Sequence, residues 1–223
     1  MSMPLPRWAW IGAPALSAVA GMVNVVGYLG SEHQVVSHLT GTTSLLGAAV
    51  AQWRWPDIAF LWGVLIAFCA GATLSGLILH EQALRLGPRY GIALLIETLL
   101  LLAAIALFKQ HASGGVLMAA AACGLQNAMT TTYSGALVRT THLSGMFTDL
   151  GIGLGQRLRG HPLPFRRLFL SGLIVSGFFG GSIAGAWLFQ YWQYDTLYLP
   201  ASVTGLSGAG YLLCRRWHRR QAR

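Results

Sequence analysis

Four apolar stretches, each long enough to cross a lipid bilayer as a helix, constrain the fold of this chain more than any other feature. They cover residues 58–79, 90–108, 168–189 and 197–214. About 20 apolar residues in a helix span the hydrocarbon core of a bilayer. Only 9% of the 223 residues are charged, against roughly 25% in a soluble domain. We therefore predict an all-α, polytopic transmembrane helical bundle.

Two further stretches, residues 8–29 and 114–131, are apolar enough to cross but carry amide side chains. Counting them gives six full spans. Between the spans lie two short segments, residues 35–51 and 140–156, that are rich in hydroxyl and histidine side chains. Unsatisfied polar groups at membrane depth cost several kcal/mol each. These two segments are therefore expected to face protein, a cavity or each other.

The two halves of the chain resemble each other. Residues 21–24 match 124–127, residues 37–41 match 141–145, and residues 71–76 match 180–185, always in the same order. Ordered matches of this kind indicate a duplicated unit. We predict one transmembrane domain over residues 1–223, with a first repeat over 8–109 and a second over 114–214.

The short polar segments decide the topology. If they are broken or re-entrant, each repeat crosses three times, the repeats are inverted, and only Arg54 and Lys109 among the basic residues lie outside. If they cross fully, there are eight spans, the repeats are parallel, and Arg85, Arg89 and Arg139 lie outside. The polarity and shortness of the second segment favour the inverted arrangement, which is a common transporter plan.

The basic residues lie at the ends of the predicted spans, although the net charge of +9 alone would suggest a nucleic-acid partner. Positive residues beside spans stay on the cytoplasmic side, and anionic lipid headgroups attract them. We therefore expect a lipid bilayer as partner, no nucleic acid, and a cytoplasmic C-terminus. The two densest groups are Arg157, Arg159, Arg166 and Arg167, and Arg215, Arg216, Arg219, Arg220 and Arg223.

A family resemblance is carried by residues 21–24, 37–43, 124–127, 139–145 and 148–151. In these motifs the chain resembles the YoaK-like family of bacterial inner-membrane proteins, a domain of unknown function. The resemblance covers most of the chain and departs from the family at Thr42, where the family more often has Asn. It implies a multi-pass protein of the bacterial inner (plasma) membrane and brings no established activity.

Polar residues of the matched segments form the candidate site. Hydroxyl, amide and imidazole groups in membrane helices either line a binding cavity or join helices to each other. Because these groups recur in both halves, a binding cavity competes with the purely structural role. The candidate substrate-binding residues are Asn24, Ser37, His38, Thr40, Gly41, Gln126, Asn127, Thr141, His142, Ser144, Gly145, Thr148 and Asp149.

Ionisable residues at membrane depth are the sharpest functional candidates. His142 and Asp149 are two helical turns apart and would share one face, about 10 Å apart along the axis. Asp149 is either a proton or cation site or the partner of Arg139 or of an arginine in the 157–167 loop. Glu97 is a proton-coupling candidate whose alternative is a buried hydrogen bond.

The equivalent histidines, His38 and His142, either couple protonation to movement or bond backbone groups freed where a helix breaks. We expect no metal, disulfide or other cofactor, because Cys69, Cys123 and Cys214 are separated and lack ligand spacing.

Three functions remain open from the sequence. The leading hypothesis is a transporter of a small solute or ion, with a polar site at the interface of the two repeats. The alternatives are a membrane-embedded enzyme acting on lipid-linked substrates, with His142 as base and Asp149 as its orienter, and an accessory membrane scaffold. The enzyme is less favoured because no nucleophile stands at a recognised spacing. Homo-oligomerisation is left open.

Overall fold

The computed structural model describes residues 7–30, 36–79, 88–134, 140–163 and 165–221. Within these ranges every regular element is helical, which confirms the all-α prediction. The elements are α1 (Arg7–Leu29), α2 (Leu39–Ala51), α3 (Trp55–Ile78), α4 (Pro88–Lys109), α5 (Gly114–Ser134), α6 (Leu143–Leu158), α7 (Phe165–Trp192), a short 3-10 helix (Gln193–Leu197) and α8 (Tyr198–Gln221).

In the described part of the chain, four helical stretches are long and apolar enough to cross a membrane. They are Trp10–Leu29, Trp55–Ile78, Arg89–Lys109 and Phe165–Trp217, the last of which contains α7 and most of α8. Helix α5 has 21 residues but is more polar, and most of it is buried against α3 and α4. The prediction of apolar helices of membrane-spanning length is therefore confirmed for these stretches.

Helices α2 and α6 are shorter than the membrane-spanning stretches. They have 13 and 16 residues, which at 1.5 Å per residue gives about 20 Å and 24 Å. The hydrocarbon core is about 30 Å thick. Each short helix packs on the long helix that follows it, α2 on α3 and α6 on α7. The turn between α2 and α3 is tight, and at the start of α3 the N-cap residue Arg54 pairs with Asp57 at 2.9 Å.

Helix α1 packs along α7 through close backbone contacts at glycines. A Cβ atom on Gly21 would overlap the carbonyl oxygen of Phe178, and one on Gly181 would overlap that of Ala18. Small residues allow two helices to approach this closely. The two helices run in the same direction, because Gly177 and Gly181 meet Pro14 and Ala18 in that order.

Helix α5 packs along α3 through contacts of the same kind. A Cβ atom on Gly124 would overlap the carbonyl oxygen of Phe68, and one on Gly71 would overlap that of Ala121. The first and fifth helices therefore each lie on a long helix from the other half of the chain, and in each pair both helices contribute a glycine to the close contact.

Helix α4 runs antiparallel to α8. Near the start of α4 the ring of Tyr90 lies 5.9 Å from that of Tyr211, and further along Thr98 and Thr204 share a hydrogen bond of 2.9 Å. At the carboxyl end of α4, Lys109 forms an ion pair with Asp195 of the 3-10 helix that precedes α8. The end of α4 and the end of α7 therefore lie at the same end of the bundle.

Candidate functional site

A cavity of about 500 Å³ lies where the two short helices begin. Residues from α3, α5 and α7 complete its wall. Those that line it are Ser37, His38, Leu39, Thr40, Phe68, Asn127, Thr141, His142, Leu143, Ser144 and Phe178.

The cavity lies at mid-height in the bundle. Phe68 and Phe178 line it from near the middle of α3 and α7. On the side of α6, the Ser17 hydroxyl donates to the carbonyl oxygens of Thr140 at 3.1 Å and Ile174 at 2.9 Å. Residue 140 is thereby held beside the middle of α1 and α7, so α6 begins deep in the bundle.

The two histidines occupy matching positions. His38 and His142 are the N-cap residues of α2 and α6, with backbone φ/ψ angles of −88°/65° and −90°/55°. Each imidazole folds back over the glycine three residues later, so a Cβ atom on Gly41 or Gly145 would overlap the ring. These two glycines are therefore required for the position of the rings at the cavity.

Both short helices direct their amino-terminal ends at the cavity. The first intrahelical bonds are donated by Thr42 to the His38 carbonyl at 3.0 Å and by Met146 to the His142 carbonyl at 3.3 Å. Neither histidine side chain caps its helix. The preceding N–H groups have no intrahelical partner, and the helix dipole adds partial positive charge there. The potential at these two ends therefore favours acceptor groups and negative charge.

The equivalent amides Asn24 and Asn127 have different surroundings. Asn24 is buried, its Nδ2 donates to the Ala20 carbonyl and to Ser37 Oγ, both at 2.8 Å, and its Oδ1 accepts from the Ser37 N–H at 2.9 Å. Asn127 lines the cavity, and its buried Oδ1 has no hydrogen-bond partner among the described residues. The first amide is thus tied to the segment before α2, whereas the second lacks a bond to its Oδ1.

A second cavity of about 380 Å³ shares Asn127 and His142 with the first. It extends toward the carboxyl-terminal ends of α3 and α5. Its other lining residues are Ala72, Gly76, Ala128, Thr131 and Thr132.

Six predicted site residues line neither cavity, namely Asn24, Gly41, Gln126, Gly145, Thr148 and Asp149. Asn24 bonds Ser37, the two glycines lie beneath the imidazoles, and the other three bond elsewhere. Gln126 is buried and donates to the Leu16 carbonyl at 2.9 Å. Thr148 is exposed and donates to the Ser144 carbonyl at 2.9 Å. Asp149 accepts from one Arg167 nitrogen at 2.9 and 3.1 Å, so it pairs with one of the arginines predicted between residues 157 and 167, which lies in the first turn of α7. Arg139, the other predicted partner, lies outside the described residues.

Glu97 lies apart from both cavities in α4. It is only 2% exposed, and its Oε2 has no hydrogen-bond partner in the part of the chain that the structure describes. Among the described residues, no three His, Cys, Asp or Glu side chains converge as a metal site. Cys123 is buried, whereas Cys69 and Cys214 are exposed.

Sequence reasoning missed the apolar wall of the first cavity and part of the second. Phe68 and Phe178 resemble any other residue of an apolar span, and Thr131 and Thr132 lie beyond the matched motif around Asn127. One signal was available for the phenylalanines, since each precedes the packing glycine of its helix, Gly71 or Gly181, by three residues.

These features define an all-α protein with helices of membrane-spanning length and a polar cavity at the start of two short helices. The chain belongs to the family described as "Protein of unknown function (DUF1275)", whose model matches residues 13–209. Membership of a family without an assigned function, expected from the sequence motifs, is thereby confirmed. No curated protein and no solved structure matches the chain.

Proposed function

We propose that this protein is a membrane transporter for a small polar solute that is neutral or anionic. It is built as two inverted repeats, each with three crossings and one half-length helix, in the bacterial inner membrane with its C-terminus in the cytoplasm. The observation that carries the proposal is the composition of the first cavity, to which both repeats contribute equivalent residues.

The lining residues of the first cavity pair across the two repeats. Apart from Asn127, every one of them has an equivalent in the other half that also lines the cavity. The pairs are Ser37 with Thr141, His38 with His142, Leu39 with Leu143, Thr40 with Ser144, and Phe68 with Phe178. A binding site shared by two repeats is typical of transporters whose halves move against each other.

Helix packing supports the duplication. Gly21 in α1 and Gly124 in α5 contact equivalent carbonyls on α7 and α3. In the reciprocal contacts, Gly71 on α3 and Gly181 on α7 hold equivalent positions. The sequence alone had matched Gly71 with Gly180, one residue earlier. A twofold relation between the halves explains why each first helix packs on the third helix of the other repeat.

The ion pair of Lys109 with Asp195 supports six crossings. With six crossings and a cytoplasmic C-terminus, both residues lie outside, and α4 is antiparallel to α8. With eight crossings, Lys109 would lie inside, Asp195 would lie outside, and α4 would be parallel to α8. The observed antiparallel pairing of these helices supports the first arrangement.

The depth at which α2 and α6 begin supports their re-entrant character. Both start beside the middle of long helices and run only about 20–24 Å toward the turns that begin α3 and α7. Discontinuous helices whose amino-terminal ends meet near the midplane are used in transporters to bind acceptor groups of the solute.

The lining residues favour a neutral or anionic solute over a cation. None of the described residues that line the first cavity is acidic. Asp149 and Glu97, on which a cation site would depend, lie elsewhere. Two helix amino-terminal ends, two imidazoles and several hydroxyls supply donors instead. The enzyme hypothesis loses support too, because Asp149 pairs with Arg167 rather than with His142.

Solute-dependent thermal stability of the purified protein tests the proposal. We expect at least one of inorganic phosphate, sulfate, acetate, glycine and glycerol to raise the unfolding temperature above that in potassium chloride of equal ionic strength. A ligand that binds only the folded state stabilises it by about 2.7 kcal/mol at 100 times its Kd. The stabilising solute is then offered to proteoliposomes, where uptake is expected.

His142→Gln is expected to abolish this stabilisation, and His161→Gln, in the exposed loop before α7, is the matched control that retains it. Stabilisation by none of the solutes, or equal stabilisation of both variants, contradicts the proposal. Stabilisation that is lost in His142→Gln but occurs without uptake would indicate a solute-binding scaffold.

A further inference from the structure

We infer that Asn24 and Asn127 act as latches, meaning side chains whose hydrogen bonds close the two openings, or mouths, of the shared cavity in alternation. In the structure the first latch is closed and the second is open. The inference rests on the proposed transporter and assigns a moving contact to each repeat. It depends on a difference between two positions that the duplication makes equivalent.

The closed latch joins α1 to the segment before α2. Asn24 makes bonds to both the backbone N–H and the hydroxyl of Ser37. Near it, the Ser182 hydroxyl of α7 donates to the Gly21 carbonyl at 3.2 Å, and Val25 contacts the position where a Cβ on Gly185 would lie. These contacts close α1 against α7 on this side of the cavity.

The open latch is the equivalent place in the second repeat. There Asn127 Oδ1 is buried without a partner in the described chain, and Thr140 Oγ1, just before α6, is likewise buried without one. The second cavity lies against Asn127 and His142 and is bordered by α3 and α5 near their carboxyl-terminal ends. Buried polar atoms normally have partners, and the equivalent Asn24 Oδ1 has one in the Ser37 N–H, so Asn127 Oδ1 is the acceptor of the contact that the alternate state completes.

The alternate state follows from exchanging the roles of the two repeats. Asn127 then accepts from the N–H of Thr141, as Asn24 does from Ser37, and the second cavity closes. Asn24 releases Ser37, and a cavity opens between α1 and α7. With six crossings and a cytoplasmic C-terminus, the open mouth of the present state faces the cytoplasm and the closed mouth faces outward.

Thiol labelling of single cysteines distinguishes the two states. In a background of Cys69→Ser, Cys123→Ala and Cys214→Ser, the reporters are Ala128→Cys beside the open mouth and Val25→Cys at the equivalent position of the closed one. Membrane vesicles of each orientation are treated with a charged, membrane-impermeant methanethiosulfonate reagent. The ratio of the two labelling rates reports the balance between the states.

Each latch variant is expected to shift this ratio in its own direction. Asn24→Ala removes a contact of the present state only, so labelling at Val25→Cys rises and labelling at Ala128→Cys falls. Asn127→Ala removes a contact of the alternate state only, so labelling shifts the other way. Loss of one latch is expected to change the ratio by roughly fivefold to thirtyfold, the effect of one or two net hydrogen bonds.

Gln126→Ala is the matched control, because it removes a buried amide of α5 that bonds α1 outside the cavity. It is expected to lower stability without changing the ratio. If Asn24→Ala and Asn127→Ala leave the ratio unchanged, or shift it in the same direction, the latch assignment is overturned. That outcome is distinguishable from failure of the proposed function, because solute-dependent stabilisation of the unmodified protein is measured separately.

Discussion

At the residue scale, the cavity depends on what surrounds each polar group rather than on the group alone. His38 and His142 are placed by the glycines beneath their rings, Gly41 and Gly145, which leave no room for a Cβ. Two other glycines of the same helices, Gly47 in α2 and Gly151 in α6, have open space around them. Gly47 and Gly151 therefore serve as controls for the effect of replacing glycine in these two helices.

Gly41→Ala and Gly145→Ala are expected to displace the imidazoles and remove solute-dependent stabilisation. Gly47→Ala and Gly151→Ala are expected to keep that stabilisation and to raise intrinsic stability by roughly 0.5–1 kcal/mol, the usual gain of alanine over glycine within a helix. Thermal unfolding of all four variants, with and without the stabilising solute, makes the comparison. Equal solute responses in both pairs would show that the rings are not required.

The sequence predicted the polar part of this site because those residues recur in both halves. Ser37, His38, Thr141 and His142 were all expected and do meet at one cavity. The partner of Asp149 could not be chosen from the sequence, since several arginines were within reach in the chain. The observed Arg167 contact depends on how α6 packs on α7.

The ion pair between Asp149 and Arg167 is expected to contribute little stability, because the two side chains are 33% and 62% exposed. Asp149→Asn should lower the free energy of unfolding by no more than about 1 kcal/mol and leave solute-dependent stabilisation unchanged. The exchange Asp149→Arg with Arg167→Asp should recover most of the loss. Abolished solute binding in Asp149→Asn would instead place this carboxylate in the site.

At the element scale, helix α7 carries adjacent glycines with opposite surroundings. Gly181 faces the backbone of α1 so closely that a Cβ would overlap the Ala18 carbonyl, whereas Gly180 has open space. Backbone atoms cannot move aside as a flexible side chain can. The pairing of α1 with α7 therefore depends on one of these glycines and not on its neighbour.

Gly181→Ala is expected to force α1 and α7 apart and to destabilise the protein by about 1–3 kcal/mol, the usual cost of overpacking. Gly180→Ala should be neutral or slightly stabilising. Gly71→Ala and Gly76→Ala repeat the comparison on α3, where only Gly71 meets the partner backbone. Unfolding midpoints in detergent provide the readout, and equal effects at Gly180 and Gly181 would contradict the close approach of the helices.

Element boundaries differ from the predicted segments for local reasons. The segment predicted over 35–51 forms a helix only from Leu39, because His38 adopts an N-cap conformation rather than a helical one. The last apolar stretch was predicted to end at residue 214, yet α8 continues to Gln221. Hydropathy marks where apolar side chains stop, whereas backbone hydrogen bonds continue through the arginine-rich end.

At the scale of the whole molecule, two observations support inverted repeats around one cavity. The antiparallel pairing of α4 with α8, fixed at one end by Lys109 and Asp195, agrees with six crossings. The short helices begin at mid-height and meet at the cavity. The distribution of basic residues fitted six and eight crossings almost equally, because charge patterns do not report which helices touch.

The side of the membrane on which the two short turns lie tests the inverted arrangement most directly. Single cysteines are introduced as Gln52→Cys, in the turn between α2 and α3, and His161→Cys, in the loop between α6 and α7, in the cysteine-free background. An impermeant maleimide is applied to intact spheroplasts and then to permeabilised ones. Inverted repeats predict that Gln52→Cys reacts in intact spheroplasts and His161→Cys only after permeabilisation. Labelling of both positions from the same side would contradict the account.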